Sequence, residues 1–497
     1  MKIYIHHDPS SSMAELARRL AARDIDVSAG RHGPAEPVDW WIKWGAGRES
    51  QPAAAQRLFN VQAVTALTTD FDAVERVLRR NHLQALLGED PSRWPLAVWP
   101  KEYQIYLWDS RVIAVQRKVL ITQQLRDLLP NKSVTPSFHW VEQLTPWEEE
   151  RLVSAAIRAL HCLGLDFGRV HLGVNRSRGP IILAVDPAPI VRNRLAQAYA
   201  DAITASVREW QERATVTIGS DPEFMLSLVP GRRMVPASRF FPRTGIVGCD
   251  NRRAFGASDD LPLAEVRPAP AENAAEALQQ LRVVLHEANR LCPYGNIAWV
   301  AGSEPYPGYP TGGHIHFGGL QPNSRLIRAL DQYLALPLLY LENPETAARR
   351  RQFYGALGDF RVKPHGFEYR TPGSWLASPE TAWLALHLAA VVAQHYRRLE
   401  RWDFLQPERQ DDFYEGKRQA LMPLLRQTLL ELVSIDDSET MRRLAQRLWS
   451  MAEEGSYLPE DMDIRRAWKL PIGLHRYRYV PRPRYSISWL GGSASRI

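Results

Sequence analysis

The sequence predicts an α+β protein: an α/β region first, then strands with one polar face, then helices. Three observations carry this expectation. Apolar strands and amphipathic helices alternate over the first ninety residues, the βαβα rhythm of an open α/β sheet. Two pairs of alternating strands follow, each around a turn. The second half opens on strands with a period of two and closes on long helical stretches. A length of 497 residues is too great for one core, so several domains are expected. We place them at residues 1–95 (α/β), 96–212 (strand pairs with helices), 213–460 (strands, then helices) and 461–497 (a basic, aromatic tail).

In order, Lys2 to His6 and Val38 to Trp44 read as strands, and Met13 to Arg23 and Asp70 to Arg80 as helices. The Pro-containing stretch Gly88 to Pro100 marks a boundary. Glu102 to Val119 reads as two strands turning at Asp109–Ser110, and Pro146 to Leu163 as a helix. Arg169 to Val174 and Ile181 to Val185 form a second pair around NRSRGP, before the helix Leu195 to Glu212. Thr215 to Leu228 opens the second half as a strand. Helices are expected at Ala271 to Arg290, Ser324 to Leu341, Pro379 to Arg401, Glu415 to Leu432 and Glu439 to Met451.

Composition narrows the class. Hydrophobic residues are 45% and charged residues 24%, an ordinary globular balance. No apolar run reaches the roughly 18 residues of a membrane span; Ala382 to Ala393 is too short and carries His387. The opening MKIYIHHDPS lacks the pattern of a secretory signal. Cys162, Cys249 and Cys292 are far apart, which disfavours a disulfide scaffold or a cysteine zinc site and suits a reducing cytoplasm. The formal net charge of +7 belongs to the tail: from Ile464 onward there are eight basic residues and no acidic one. Arg, Tyr and Trp interleave there, a mixture that can grip nucleic acid. One short stretch is weak support for such a partner, and an arm packing its aromatics on the body is the favoured reading.

Four segments of the second half repeat one pattern. Asp221 and Glu223 share a strand face in IGSDPEFML, Glu265 and Arg267 in LAEVRPAP, His314 and His316 in GGHIHFGG, and Glu368 and Arg370 in GFEYRTP. Apolar residues occupy the opposite face each time. Alone, each segment fits a solvated strand with cross-strand ion pairs. At the paired positions they carry none of the Lys, Thr and Ser of solvated faces, and they are flanked by Gly219, Gly312, Gly313, Gly318, Gly319 and Gly366, which allow a close approach of backbone or ligand. If the strands are neighbours, four carboxylates converge. They repel without cations, so a divalent metal is the expected neutraliser. Oxygen-rich ligation with imidazole suits Mg2+ or Mn2+. Adjacent arginines, with Arg349, Arg350, Arg351, Arg361 and Lys363 nearby, suit phosphate or carboxylate. That combination is what phosphoryl transfer from ATP requires.

At these residues the second half resembles the glutamine-synthetase-like carboxylate–amine ligases, and more narrowly the phage-type COOH–NH2 ligase (amidoligase) family, type 2. The motifs are GSDPEF at Gly219–Phe224, AEVRPAP at Ala264–Pro270, GGHIHFGG at Gly312–Gly319 and RVKPHGFEYRTPGSWL at Arg361–Leu376. The resemblance implies an antiparallel sheet curved into a funnel, with metal-bound ATP at one end. It implies catalytic roles for Asp221, Glu223 and Arg370, with Glu223, Glu265, His314 and Glu368 as metal ligands. Arg267, His316, Arg350, Arg361, Arg370 and Asp250 would bind substrate or nucleotide. It further implies a two-step reaction: ATP phosphorylates a carboxylate, then an amine displaces phosphate to form an amide on a peptide, protein or cell-wall carboxylate. A peptide or amino acid is the expected partner, with no membrane; no interface between copies is read from the sequence.

The first half resembles an eroded ATP-grasp domain. KEYQIYLWDSRVIAVQRK is similar to that fold's nucleotide-contacting strand pair, with Lys118 in place and Gln104 where Arg is common. GLDFGRVHLGV and ILAVDPAP are similar to its magnesium-binding strands, but His171, Ala184 and Asp186 stand at the usual ligand positions. The remnant of such a site would be Lys118, Asp166, His171 and Asp186; the alternative is a reduced site of Asp166, His171 and Asp186. Two further readings stay open: a metal-dependent hydrolase using His314 and His316 with a carboxylate, and a non-catalytic binding protein built on retired ligase domains.

Overall fold

The computed structural model describes residues 1–7, 13–34, 36–45, 55–60, 70–87, 101–119, 137–175, 179–212, 214–253 and 259–478. The α+β architecture expected from the sequence is the one observed, in three sheets. The boundary stretch 88–100 and the tail beyond 478 lie outside the described residues.

The first sheet is parallel, in the order β2 (Asp26–Gly30), β1 (Lys2–His7), β3 (Val38–Trp44), β4 (Ala55–Phe59). Ile3 and Ile5 with Trp40, Ile42 and Trp44 are buried, and the helices Ala14–Ala21 and Arg194–Gln211 supply Leu16, Leu20, Tyr199 and Ile203 to the same core. The second sheet is antiparallel, in the order β7 (His139–Trp140), β6 (Arg111–Val119), β5 (Lys101–Trp108), β8 (Phe167–Asn175), β9 (Gly179–Asp186). Asp109 and Ser110 turn its first hairpin with φ of 52° and 66°, values that short polar residues tolerate. β2 and β4 escape sequence reading: β2 (DVSAG) has little apolar content.

The third sheet has eight strands, all paired antiparallel. Its path runs β12 (Val247–Cys249), β13 (Leu263–Val266), β10 (Thr217–Leu228), β15 (Gly313–Gly318), β17 (Gly366–Tyr369), β16 (Phe360–Lys363), with β11 (Arg233–Val235) and β14 (Ile297–Val300) also on β10. β10 has twelve residues and changes partners midway: Thr217 to Pro222 pair with β15, whereas Glu223 to Met225 pair with β13 and Met225 to Leu228 with β14. Pro222, with no N–H to donate, stands at the changeover. Phe224, Ile315, Phe317, Phe367 and Tyr369 turn to the core, where Phe224 stacks on Trp299 at 4.8 Å and the helices Ala274–Leu291 and Pro379–His395 cover the sheet. The opposite face is polar.

The expected helix from Ser324 to Leu341 is interrupted. It runs as Ser324–Leu330, a π-turn at Asp331–Ala335 and Leu336–Leu339. At the interruption Asp331 lies 2.6 Å from His161 Nε2 and accepts bonds from Gly358 N at 2.9 Å and Tyr369 Oη at 2.6 Å. A helix that feeds a carboxylate to three distant partners widens at that point. Pro146 to Leu163 likewise contains a π-turn, Glu148–Val153, before the helix Ser154–Cys162. The helix Pro407–Tyr414 was not anticipated; Gly416, with φ of 67°, separates it from Arg418–Ile435.

The two halves are locked by buried carboxylates. Asp109 Oδ1 accepts from Arg57 at 2.6 Å and from Ser324 N and Oγ at 3.0 and 2.9 Å. Asp166 Oδ1 accepts from Ser324 Oγ at 2.6 Å and Arg328 Nη1 at 2.8 Å, and its Oδ2 from Asn60 N at 2.5 Å. The basic segment after Asp463 is an arm as far as residue 478: Arg465 is buried against Asp463 and the carbonyls of Tyr294 and Ile297, and Tyr477 packs on Phe240 and Tyr294. No helix among the described residues is long and apolar enough to cross a membrane.

Candidate functional site

The polar face of the third sheet is a ladder of ionisable pairs. Glu223 stands opposite Glu265, Asp221 opposite His314, and Gly219, His316, Glu368 and Arg361 form one row across four strands. Asp221 Oδ1 lies 3.3 Å from His314 Nδ1 and 3.0 Å from His316 Nε2, and Glu368 Oε1 lies 3.5 Å from His314 Nδ1. Asp221 belongs to two sets whose donor atoms all lie within 4.8 Å of one another: Asp221, Glu265 and His314, and Asp221, His316 and Glu368.

The fit to a metal can be tested on the donor atoms. Asp221 Oδ1, His314 Nδ1 and His316 Nε2 are shielded from solvent and meet one another only as ion-pair contacts, without a well-formed hydrogen bond to any described residue. Buried polar atoms are ordinarily well bonded, so lone-pair donors that converge with only ion-pair contacts among themselves fit a divalent cation. The electrostatics agree. Burial and the adjacent Asp221 push the Glu265 carboxyl up to about 8. Burial would also raise Asp221, but His314 and His316 beside it hold it well below the usual carboxylate range. Burial raises Glu223. One carboxyl of the group retains a proton when no cation is present, as expected for like charges sharing a site.

Cations rim these sets. Glu368 is met by Lys363 at 2.9 Å, Arg370 at 3.3 Å and Arg361 at 3.7 Å, and Arg267 is paired with Glu265. Glu223 lies outside both sets: its Oε2 accepts the Gly312 N–H at 2.7 Å. Asp250 lies close enough to raise the Glu223 carboxyl further, and Arg252 close enough to oppose that. Arg350 is not available to a ligand. It is fully buried, and its guanidinium donates to the carbonyls of Thr311, Thr371 and Pro372 at 2.8, 2.7 and 2.8 Å. An arginine in an Arg triplet reads as exposed; here it ties the β15 and β17 ends together. Gly355, with φ of 77°, lets that guanidinium pass where a Cβ would collide with it.

The flanking glycines admit protein atoms. A Cβ at Gly312 would collide with the His314 ring, one at Gly313 with the Gly373 carbonyl, and one at Gly366 with the Phe317 carbonyl. Sequence reasoning also missed Tyr354, whose hydroxyl lies 2.6 Å from His314 Nε2 and 2.7 Å from Arg370 Nη2. It missed His365, 3.2 Å from His316, and Asp359, 3.7 Å from Arg370. Tyr354 and His365 sit in turns where no periodicity marks them; the dipeptide Tyr354–Gly355 after the arginine run was the one available signal.

The residues expected as a remnant site in the first half do not assemble as a set. Lys118 and His171 both bind Glu102, at 3.1 and 2.9 Å, whereas Asp186 pairs with Arg169 at 3.0 Å. Asp166 is instead the joint between the halves described above. Its oxygens are occupied by Asn60, Ser324 and Arg328.

Comparison with known proteins gave two kinds of match. No curated protein matches in sequence. Solved structures that resemble the chain include the ATP-grasp ligase PsnB complexed with a minimal precursor (11% identity, TM-score 0.28, 41% of this chain and 99% of that one). They include macrocyclase MdnC bound with precursor peptide MdnA from Microcystis aeruginosa MRC (10%, 0.28, 41% and 99%). A bifunctional glutathione synthetase from Pasteurella multocida also matches (12%, 0.33, 51% and 49%). A family model described as phage phiEco32-like COOH.NH2 ligase-type 2 matches residues 218–470.

Proposed function

The chain belongs to the phage phiEco32-like COOH.NH2 ligase-type 2 family, and from that premise we propose that it is an ATP-dependent carboxylate–amine ligase forming an amide through an acyl phosphate. The observation that carries the reading is the convergence of Asp221, Glu265, His314, His316 and Glu368 within ligating distance of one another, beside Arg361, Lys363 and Arg370.

A carboxylate is a poor electrophile and its oxygen a poor leaving group; phosphorylation by ATP corrects both faults. Asp221, Glu265 and His314 would hold one Mg2+ or Mn2+, and Asp221, His316 and Glu368 a second. The bound cations supply neutralisation of phosphate charge. Arg370, Arg361 and Lys363 line the same wall and bind the phosphorylated carboxylate. Glu223, buried and with its carboxyl raised, serves as the acceptor of the amine proton rather than as a metal ligand. Peptides and amino acids are the substrates to try first. The precursors bound by PsnB and MdnC are peptides.

Incubation with ATP, Mg2+ and a pool of amino acids and peptides tests the reading. ADP release that requires both a carboxylate and an amine, with products lighter by one water than their summed reactants, supports it. Hydrolysis without nucleotide overturns it in favour of a metal-dependent hydrolase.

Metal affinity should depend on pH with a defined sign. In the metal-free protein Glu265 keeps its proton below about 8, and a cation must expel it. Mn2+ affinity is therefore expected to rise by about tenfold per pH unit below that value and to level off above it. Isothermal titration at pH 6.5, 7.5 and 8.5 measures this. Glu265→Gln should make the profile shallower, leaving the slope due to His314, whose imidazole burial lowers but Tyr354 and Asp221 raise well above its usual range. A slope of opposite sign would refute the assignment. The same raised carboxyl makes the metal-free fold lose the Glu265 contribution as pH rises from its ordinary value of 4.5 through about 8.

A further inference from the structure

Tyr354 belongs to none of the four polar-face segments, yet it touches both sides of the site. Its backbone N–H donates to the Arg350 carbonyl at 2.9 Å, at the end of the helix Pro344–Arg351. Its ring lies against three guanidiniums, those of Arg370, Arg350 and Arg252, at 4.9, 5.1 and 5.5 Å. Arg350 is fixed by three carbonyls, so the ring is held from a rigid side. The hydroxyl then sits between His314 Nε2 and Arg370 Nη2.

This placement bears on which nitrogen of His314 carries the proton when a cation is bound. His314 Nδ1 faces Asp221 and Glu368 and has no hydrogen-bond partner, so it is the nitrogen turned toward the donor sets. To ligate a cation Nδ1 must offer its lone pair, which puts the proton on Nε2. The Nε2–H then donates to the Tyr354 oxygen, which also accepts from Arg370 Nη2. An imidazole that ligates a metal is ordinarily oriented by an acceptor on its other nitrogen.

We propose that Tyr354 is a positioning residue whose oxygen accepts from both His314 and Arg370, locking the histidine in the tautomer that presents Nδ1 and holding the arginine on Glu368. It joins the metal side of the site to the side that binds the phosphorylated carboxylate. The inference rests on the ligase reading for the role of Arg370, but its metal half stands on His314 alone.

Tyr354→Phe keeps the ring between the guanidiniums and removes the shared acceptor. Mn2+ titration followed by electron paramagnetic resonance is expected to show affinity weakened by about 10- to 100-fold. The KM for the carboxylate substrate should rise by about tenfold beyond any change in kcat, with the melting temperature near that of the parent. A folded Tyr354→Phe that binds Mn2+ as tightly as the parent and keeps its KM overturns the proposal. If that variant does not fold, nitrogen-15 spectra of selectively labelled histidine in the Mg2+-loaded parent decide. Protonated Nε2 on His314 supports the proposal and protonated Nδ1 refutes it. A parent protein that turns over no carboxylate and amine, yet loses Mn2+ affinity on the Phe substitution, sinks the ligase reading and sustains the metal half of this one.

Discussion

Asp221→Asn is expected to lower kcat/KM by at least about 10³-fold, the scale on which single electrostatic contacts to a transition state are lost. Asp221 is the residue common to both candidate metal sets, and its Oδ1 lies 3.3 Å from His314 and 3.0 Å from His316. Removing that charge weakens both sets at once. Glu265→Gln and Glu368→Gln each touch one set only. Mn2+ titration should therefore show both sites affected in Asp221→Asn and one site in each of the others. Asparagine matches the shape of aspartate, so the fold should be kept, with some stability lost along with the Asp221–histidine pairs. ADP release close to the parental rate in Asp221→Asn would remove the basis for the proposed chemistry.

Asp109→Ala is expected to produce the largest loss of stability, about 3–5 kcal/mol, because it leaves a buried charge without its partner. The Arg57–Asp109 pair is buried at 4% and 1% exposure, and the same carboxylate caps Ser324. Whole domains are stable by only about 5–15 kcal/mol, so this substitution should cut the urea midpoint sharply. Asp201→Ala is the control: its pair with Arg23 is exposed and should contribute under about 1 kcal/mol. Equal midpoints for the two variants would show that the carboxylate joint is not what holds the halves together.

The polar face was legible because a strand exposes alternate residues whatever its partners. Asp221 with Glu223, or His314 with His316, declare a common side from spacing alone. The neighbours of each strand were not legible, since pairing between β10 and β17 runs through β15 and is set by packing of Phe317 on Phe367 and of Phe224 on Trp299. Sequence reading erred where a charged residue does internal work. Arg350 and Asp166 look like ligand contacts in isolation, and their true partners are carbonyls and side chains from distant segments. The break at Asp331 had the same origin: its partner His161 is 170 residues away. Tyr354 was overlooked because a residue in a turn carries no periodic signature.

β10 has a consequence for how the molecule fails. The residue shared by both candidate metal sets and the neighbouring buried glutamate ride on one continuous segment, on either side of a proline, and that segment is stitched to four other strands. Peeling it away cannot disable half of the chemistry. Amide exchange at Phe224 to Leu226 and loss of Mn2+ binding should accordingly follow a single time course under mild denaturant, an on-or-off behaviour with no crippled intermediate.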